Sequence, residues 1–164
     1  MPTASASRRI RAPAEQLWRI VSDPYHLPRW WPRVERVEDV DGGAFTEVMR
    51  TRKGKTVRAD FDVVRADEPA GTVVWEQRLA GTPFAGVLSF SQTELRMRSG
   101  GDAGDEAVTE VTIELRQELA GEATPRLKVF GGRPLWPSMG QRMVRKAARK
   151  MINEALDGLE AISA

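Results

Sequence analysis

Cysteine is absent from this 164-residue chain. That absence removes disulfide scaffolds, thiol nucleophiles and cysteine-ligated zinc together, and it agrees with a reducing compartment. Histidine occurs once, as His26, so a histidine-pair metal site lacks its second member and a histidine relay has no partner identifiable from spacing. Isolated carboxylates are too common to count as ligands, and neither a metal nor a cofactor is expected. No run approaches the roughly 20 apolar residues of a membrane-spanning helix. The opening MPTASASRR is polar and basic with no apolar stretch behind it, unlike a signal peptide or an anchor. The expected location is cytoplasmic. Net charge is also small, 25 Lys and Arg against 23 Asp and Glu. No motif of a nucleic-acid reader is present, and no nucleic-acid partner is expected.

What is present suits a soluble globular chain: 41% hydrophobic residues, 29% charged, and a length that fits one domain over residues 1–164. Charge is unevenly spread. Eight basic residues and no acidic one lie between Arg126 and Lys150, while the remainder is net negative. The plain interpretation is a solvated helix face; a weak peripheral contact with an anionic membrane surface is the functional one. Turn signals at Asp41-Gly42-Gly43, Lys53-Gly54-Lys55, Glu68-Pro69-Ala70-Gly71, Gly81-Thr82-Pro83 and Gly100-Gly101-Asp102 suit consecutive hairpins.

Between the turns, apolar residues alternate. Val57, Ala59, Phe61 and Val63 form one such set, Val73, Trp75, Gln77 and Leu79 another, and Val111, Ile113, Leu115, Gln117 and Leu119 a third. Period two predicts an antiparallel meander with one buried face. Over residues 86–98 the parity changes, from Leu88 and Phe90 to Leu95 and Met97, which predicts a bulge. Pro13 suits the first position of a short helix carrying Leu17, Trp18 and Val21, and Asp23-Pro24 stops it. A long last helix is predicted from Pro137 almost to the end, with Met139, Met143, Val144, Ala147, Met151, Ala155, Leu159 and Ile162 as its apolar stripe. A sheet with one apolar face must be covered, and only that helix is large enough.

Residues 12–38, APAEQLWRIVSDPYHLPRWWPRVERVE, resemble the opening of START-like SRPBCC proteins of the polyketide cyclase/dehydrase and lipid-transport type. The resemblance rests on Ala12, Pro13, Trp18, Asp23, Pro24, Trp30, Trp31 and Pro32, and the strand order and last helix extend it over the chain. It implies an α+β helix-grip fold: a curved antiparallel β-sheet wrapped around a long C-terminal helix, with two short helices near the N-terminus. It also implies an internal cavity for hydrophobic small molecules, in which some members catalyse cyclisation or dehydration. No universal catalytic motif comes with it, so no catalytic residue is transferred.

The expected ligand-binding residues are Trp31, Phe61, Trp75, Gln77, Leu115, Gln117, Met139 and Met143. The aromatic corner from Pro24 to Trp31 should cap one side of the cavity, with Trp18 and one of Trp30 or Trp31 packing inward. Gln77 and Gln117 interrupt apolar faces, so their amides either orient a ligand or bond to each other or to water. The hairpin at Lys53-Gly54-Lys55 has two registers. One puts Thr46, Val48 and Arg50 on the face of Ala59 and Phe61; the other puts Phe45, Glu47 and Met49 there. Apolar content favours the second. An inward Glu47 would be a candidate general acid or base, although a lone carboxylate is expected to reach solvent at the rim instead. His26 is expected to have a surface or capping role. Phe130, Gly131, Gly132, Pro134 and Trp136 could cover a cavity mouth. The leading expectation is binding of a lipid-like or polyketide-like small molecule. The alternatives are a cyclase or dehydratase using the same cavity and an interaction module using the basic helix face.

Overall fold

The computed structural model describes residues 3–51, 53–103, 106–120 and 137–163. Strand β1, Thr3–Ile10, is followed by helix α1, Ala14–Val21, a 3-10 turn at Pro24–His26 and helix α2, Leu27–Trp30. Six strands then run in succession: β2, Val34–Asp41; β3, Ala44–Arg50; β4, Thr56–Asp67; β5, Thr72–Arg78; β6, Leu88–Ala103; and β7, Glu106–Leu119. Helix α3, Pro137–Ser163, closes the chain. The sheet order is β1-β7-β6-β5-β4-β3-β2, with every neighbouring pair antiparallel. This is the predicted meander, with β1 returning to pair with β7. The expected cover of Phe130 to Trp136 lies outside the described residues.

Helix α3 packs against β1, β7 and α2. Its 27 residues span about 40 Å. Ala148, Ile152, Ala155, Leu156 and Leu159 form its buried face, and each large aliphatic among them contributes roughly 1.5–3 kcal/mol by leaving water. That face keeps Ala155 and Leu159 of the predicted stripe but departs from it nearer the start of the helix, where Met143 is 65% exposed and Ala147 is exposed too. Gly158 explains how close the helix comes to α2. A Cβ at this position would collide with the Trp30 carbonyl oxygen, so only glycine permits the approach, at about 1 kcal/mol of helix propensity. The Arg8 guanidinium holds Asp157 at 2.7 Å, tying β1 to the same helix.

Two local details decide which side chains face α3. The β3–β4 hairpin closes with Thr51 N–H donating to Lys55 O at 2.8 Å, so Phe45 pairs with Phe61, Glu47 with Ala59 and Met49 with Val57. This is the second of the two registers. In β6 the register against β7 shifts between Leu88 and Phe90. The shift is the predicted bulge, and beyond it Ser91, Thr93, Leu95 and Met97 share the buried face. At the other end of the sheet Pro13 is the N-cap of α1, one position earlier than predicted. The buried Thr109 hydroxyl donates to Ala12 O at 2.7 Å and fixes the strand-to-helix corner.

Candidate functional site

The aromatic corner is built by capping. The Asp23 side chain accepts from Tyr25 N–H at 3.0 Å and starts the 3-10 turn, Pro28 sits in the first turn of α2, and Trp31 leaves the helix in extended conformation. Both tryptophans are buried, but they face different partners. Trp30 lies against α3 at Gly158. Trp31 meets Trp75 edge-on, with ring centroids 5.8 Å apart. His26 lies outside this packing, between Arg29, 3.0 Å from its Nδ1, and Asp23 at 3.7 Å, in agreement with the surface role expected of it.

Beneath Trp31 lies a cavity of about 150 Å3 between the sheet and α3. Its floor is laid by successive strands: Ala59 and Phe61 from β4, Trp75 and Gln77 from β5, and Leu115 and Gln117 from β7. Ser91 and Thr93 fill the β6 positions between them. Glu47 and Met49 form one side, and Trp31, Phe84, Leu88 and Met151 close the rest. The cavity thus brings together Trp31, Phe61, Trp75, Gln77, Leu115 and Gln117. The Met139 side chain lies outside the described residues. Met143, expected as a wall, is exposed, and Met151 of the same predicted stripe occupies that role.

Polar groups cross the floor in a row. Trp75 pairs with Thr93 and Thr93 with Leu115. Two residues further on, Gln77, Ser91 and Gln117 follow one another across β5, β6 and β7. Gln117 Nε2 donates to Ser91 Oγ at 3.5 Å. Gln77 Nε2 is buried with no hydrogen-bond partner, leaving a donor at the cavity whose desolvation costs about 1–3 kcal/mol.

Among the described residues, Glu47 is the one ionisable side chain in the cavity wall. It is 2% exposed, and no salt bridge or hydrogen bond engages its carboxyl among the described residues. Burial pushes its pKa up to about 8, so the group is mostly protonated at neutral pH. The expectation that Glu47 reaches solvent is therefore corrected. The three-residue hairpin closure puts it on the core face, and an unpaired carboxyl accepts burial by taking up a proton. Arg50 is turned outward and pairs with Glu35 at 2.6 Å. Asp62, on the other sheet face, meets Arg78 at 3.1 Å, and among the described residues no second carboxylate lines the cavity with Glu47. Among the described residues no cluster of metal-ligating side chains occurs.

Ser91, Thr93, Phe84 and Leu88 were missing from the expected site. Ser91 and Thr93 share the parity of Leu95 and Met97, and that was the available signal. Leu88 and Phe84 depend on the bulge and on the 3-10 turn Pro83–Gly86, neither of which has a period to follow.

A sheet gripping a long helix over an apolar chamber defines a helix-grip protein. The chain belongs to the polyketide cyclase / dehydrase and lipid transport family, which matches residues 1–162. Among solved structures, the di-domain ARO/CYC BexL from the BE-7585A biosynthetic pathway aligns with a TM-score of 0.74 at 16% identity, over 98% of this chain and 46% of that one. XoxI from Bacillus cereus aligns at 0.72 with 12% identity, over 99% and 96% of the two chains. A START superfamily protein from Mycobacterium smegmatis gives 0.68 at 15% identity, over 98% and 96%. At these identities the likeness establishes the fold alone. A search of curated protein sequences finds no match.

Proposed function

We propose that this chain, acting as one domain over residues 1–164, binds a hydrophobic or amphipathic small molecule of lipid-like or polyketide-like chemistry in the cavity beneath Trp31. One observation carries the reading: an apolar chamber holds an unpaired donor, Gln77 Nε2, and an unpaired buried carboxyl, Glu47. A pocket of this kind takes an apolar body and orients it through a few polar groups. The family match supports hydrophobic-ligand or cyclase-type function. The reading is tested by native mass spectrometry of the purified protein, followed by denaturing extraction of any retained molecule. A stoichiometric apolar compound, weakened by Gln77→Leu in a folded variant, is the expected result. An empty protein with no thermal shift across lipids, sterols and aromatic polyketides would refute it.

Glu47 favours a second reading, a cyclase or dehydratase in the same chamber. A carboxyl whose pKa lies near 8 can donate a proton to a carbonyl or hydroxyl leaving group and recover it within the physiological range. Under this reading Glu47→Gln lowers turnover by about 100-fold or more while substrate affinity is kept. Equal loss of turnover in Glu47→Gln and in a wall variant such as Leu115→Ala would assign the effect to packing.

A further inference from the structure

Beyond Met151 the cavity has a neighbour. A second space of about 430 Å3 lies outside it, bordered by Pro32, Arg33, Val87, Val144, Lys150 and Glu154. Met49, Leu88, Gln117 and Met151 line both spaces. The two are therefore adjacent across a shared wall that includes two adaptable methionines, and their volumes together fall within the roughly 300–1,000 Å3 typical of small-molecule sites.

The two spaces differ electrically. The inner chamber offers Glu47 and no cation among its lining residues. A carboxylate placed there would lose its water beside a second carboxyl, with nothing to compensate. At the outer end, Lys150 Nζ lies 3.9 Å from Glu154 Oε1, so those two charges offset each other. Arg33 is left over. It is exposed and makes no ion pair among the described residues. Its φ of 66° places an arginine in the left-handed region that non-glycine residues seldom occupy. Its carbonyl accepts from Arg50 N–H at 3.3 Å, which holds the backbone in that shape. Pro32 and Trp31, immediately before it, belong to the walls of the outer and inner spaces respectively.

We propose that the ligand is an amphipathic carboxylate whose apolar body lies in the inner chamber, against Trp31 and Trp75, and whose carboxylate is held at the mouth by Arg33. This rests on the cavity-binding reading above. The guanidinium is the side chain best matched to a carboxylate, through two parallel N–H donors. Methionines at the junction, Met49 and Met151, adapt to a chain passing between the two spaces.

The test compares dodecanoate with dodecan-1-ol, which share the apolar body and differ in head charge, by isothermal titration calorimetry at pH 7. Wild-type protein should prefer the carboxylate by about fivefold, the upper range for an exposed ion pair. The preference should shrink in 1 M salt. Arg33→Gln should abolish it and leave dodecanol affinity unchanged, while Arg33→Lys keeps part of it. Bromine at the far end of the chain should quench tryptophan fluorescence more than bromine beside the carboxylate. Equal binding of both compounds by wild type, or a preference that survives in Arg33→Gln, overturns the role of Arg33 and leaves cavity binding intact. Binding of neither compound removes this proposal and counts against the cavity reading as well.

Discussion

Changing Glu47 to glutamine should remove most of a pH dependence that the cavity builds into the stability of the chain. In the unfolded chain this carboxyl ionises near 4.5; in the folded chain burial holds its pKa at about 8. Between those values the folded state keeps a proton that the unfolded state releases. Rising pH therefore favours unfolding, by about 1.4 kcal/mol per unit, until the folded group also ionises. From pH 5 to pH 8 the loss amounts to roughly 4 kcal/mol, a large part of the 5–15 kcal/mol that is typical of a domain. Above pH 8 the contribution levels off. Urea titrations of wild type and Glu47→Gln at each pH unit from 5 to 9 measure this directly, because every other group titrates in both proteins and cancels in the difference. The two should be within about 1 kcal/mol of each other at pH 5, and the variant should be the more stable by several kcal/mol at pH 8. A difference that stays constant from pH 5 to pH 8 would refute the reasoning. It would mean that Glu47 ionises in the folded protein near its ordinary value, through water or a cation reaching the cavity.

Four further changes separate the parts of the site from the parts of the fold. Gln77→Leu removes a buried donor without a partner, so urea melts should show stability unchanged or raised by about 1 kcal/mol, while affinity for a carbonyl-bearing ligand falls. Gly158→Ala, worth about 1 kcal/mol of gain in a free helix, should instead cost about 2 kcal/mol, because its methyl meets the Trp30 carbonyl. A stabilised variant in the same thermal or urea melt would show that α2 yields easily. Ile152→Ala should cost about 2–5 kcal/mol, and Met143→Ala should stay within about 0.5 kcal/mol. Similar losses at both positions would contradict the burial of Ile152 and the exposure of Met143.

The strands around Phe61, Trp75 and Leu115 were legible because a sheet with one covered face imposes alternation, and turn residues mark where each strand stops. Helix α3 was legible from Pro137 and its apolar spacing. Where its buried face begins was not. Met143 and Ala147 match the period as well as Ala155 and Leu159 do, and helical spacing names a repeat without saying how much of it is covered. Gly158, whose missing side chain admits Trp30, and Asp157, which reaches Arg8, fix the later turns against α2 and β1.

By itself the sequence determined the meander, the long covering helix, the bulge in β6 and the aromatic corner, since these follow from local periodicity, turn chemistry and capping. It also named Trp31, Phe61, Trp75, Gln77, Leu115 and Gln117 of the cavity lining, and the tertiary structure decided the rest of the wall. The closure of one hairpin turned Glu47 inward and Arg50 outward, because a shift of one residue exchanges the two faces of a strand. Burial then set the protonation of Glu47. The pairing of Trp31 with Trp75 and the row Gln77–Ser91–Gln117 join residues from separate elements, and such meetings exist only once the sheet has closed over its helix.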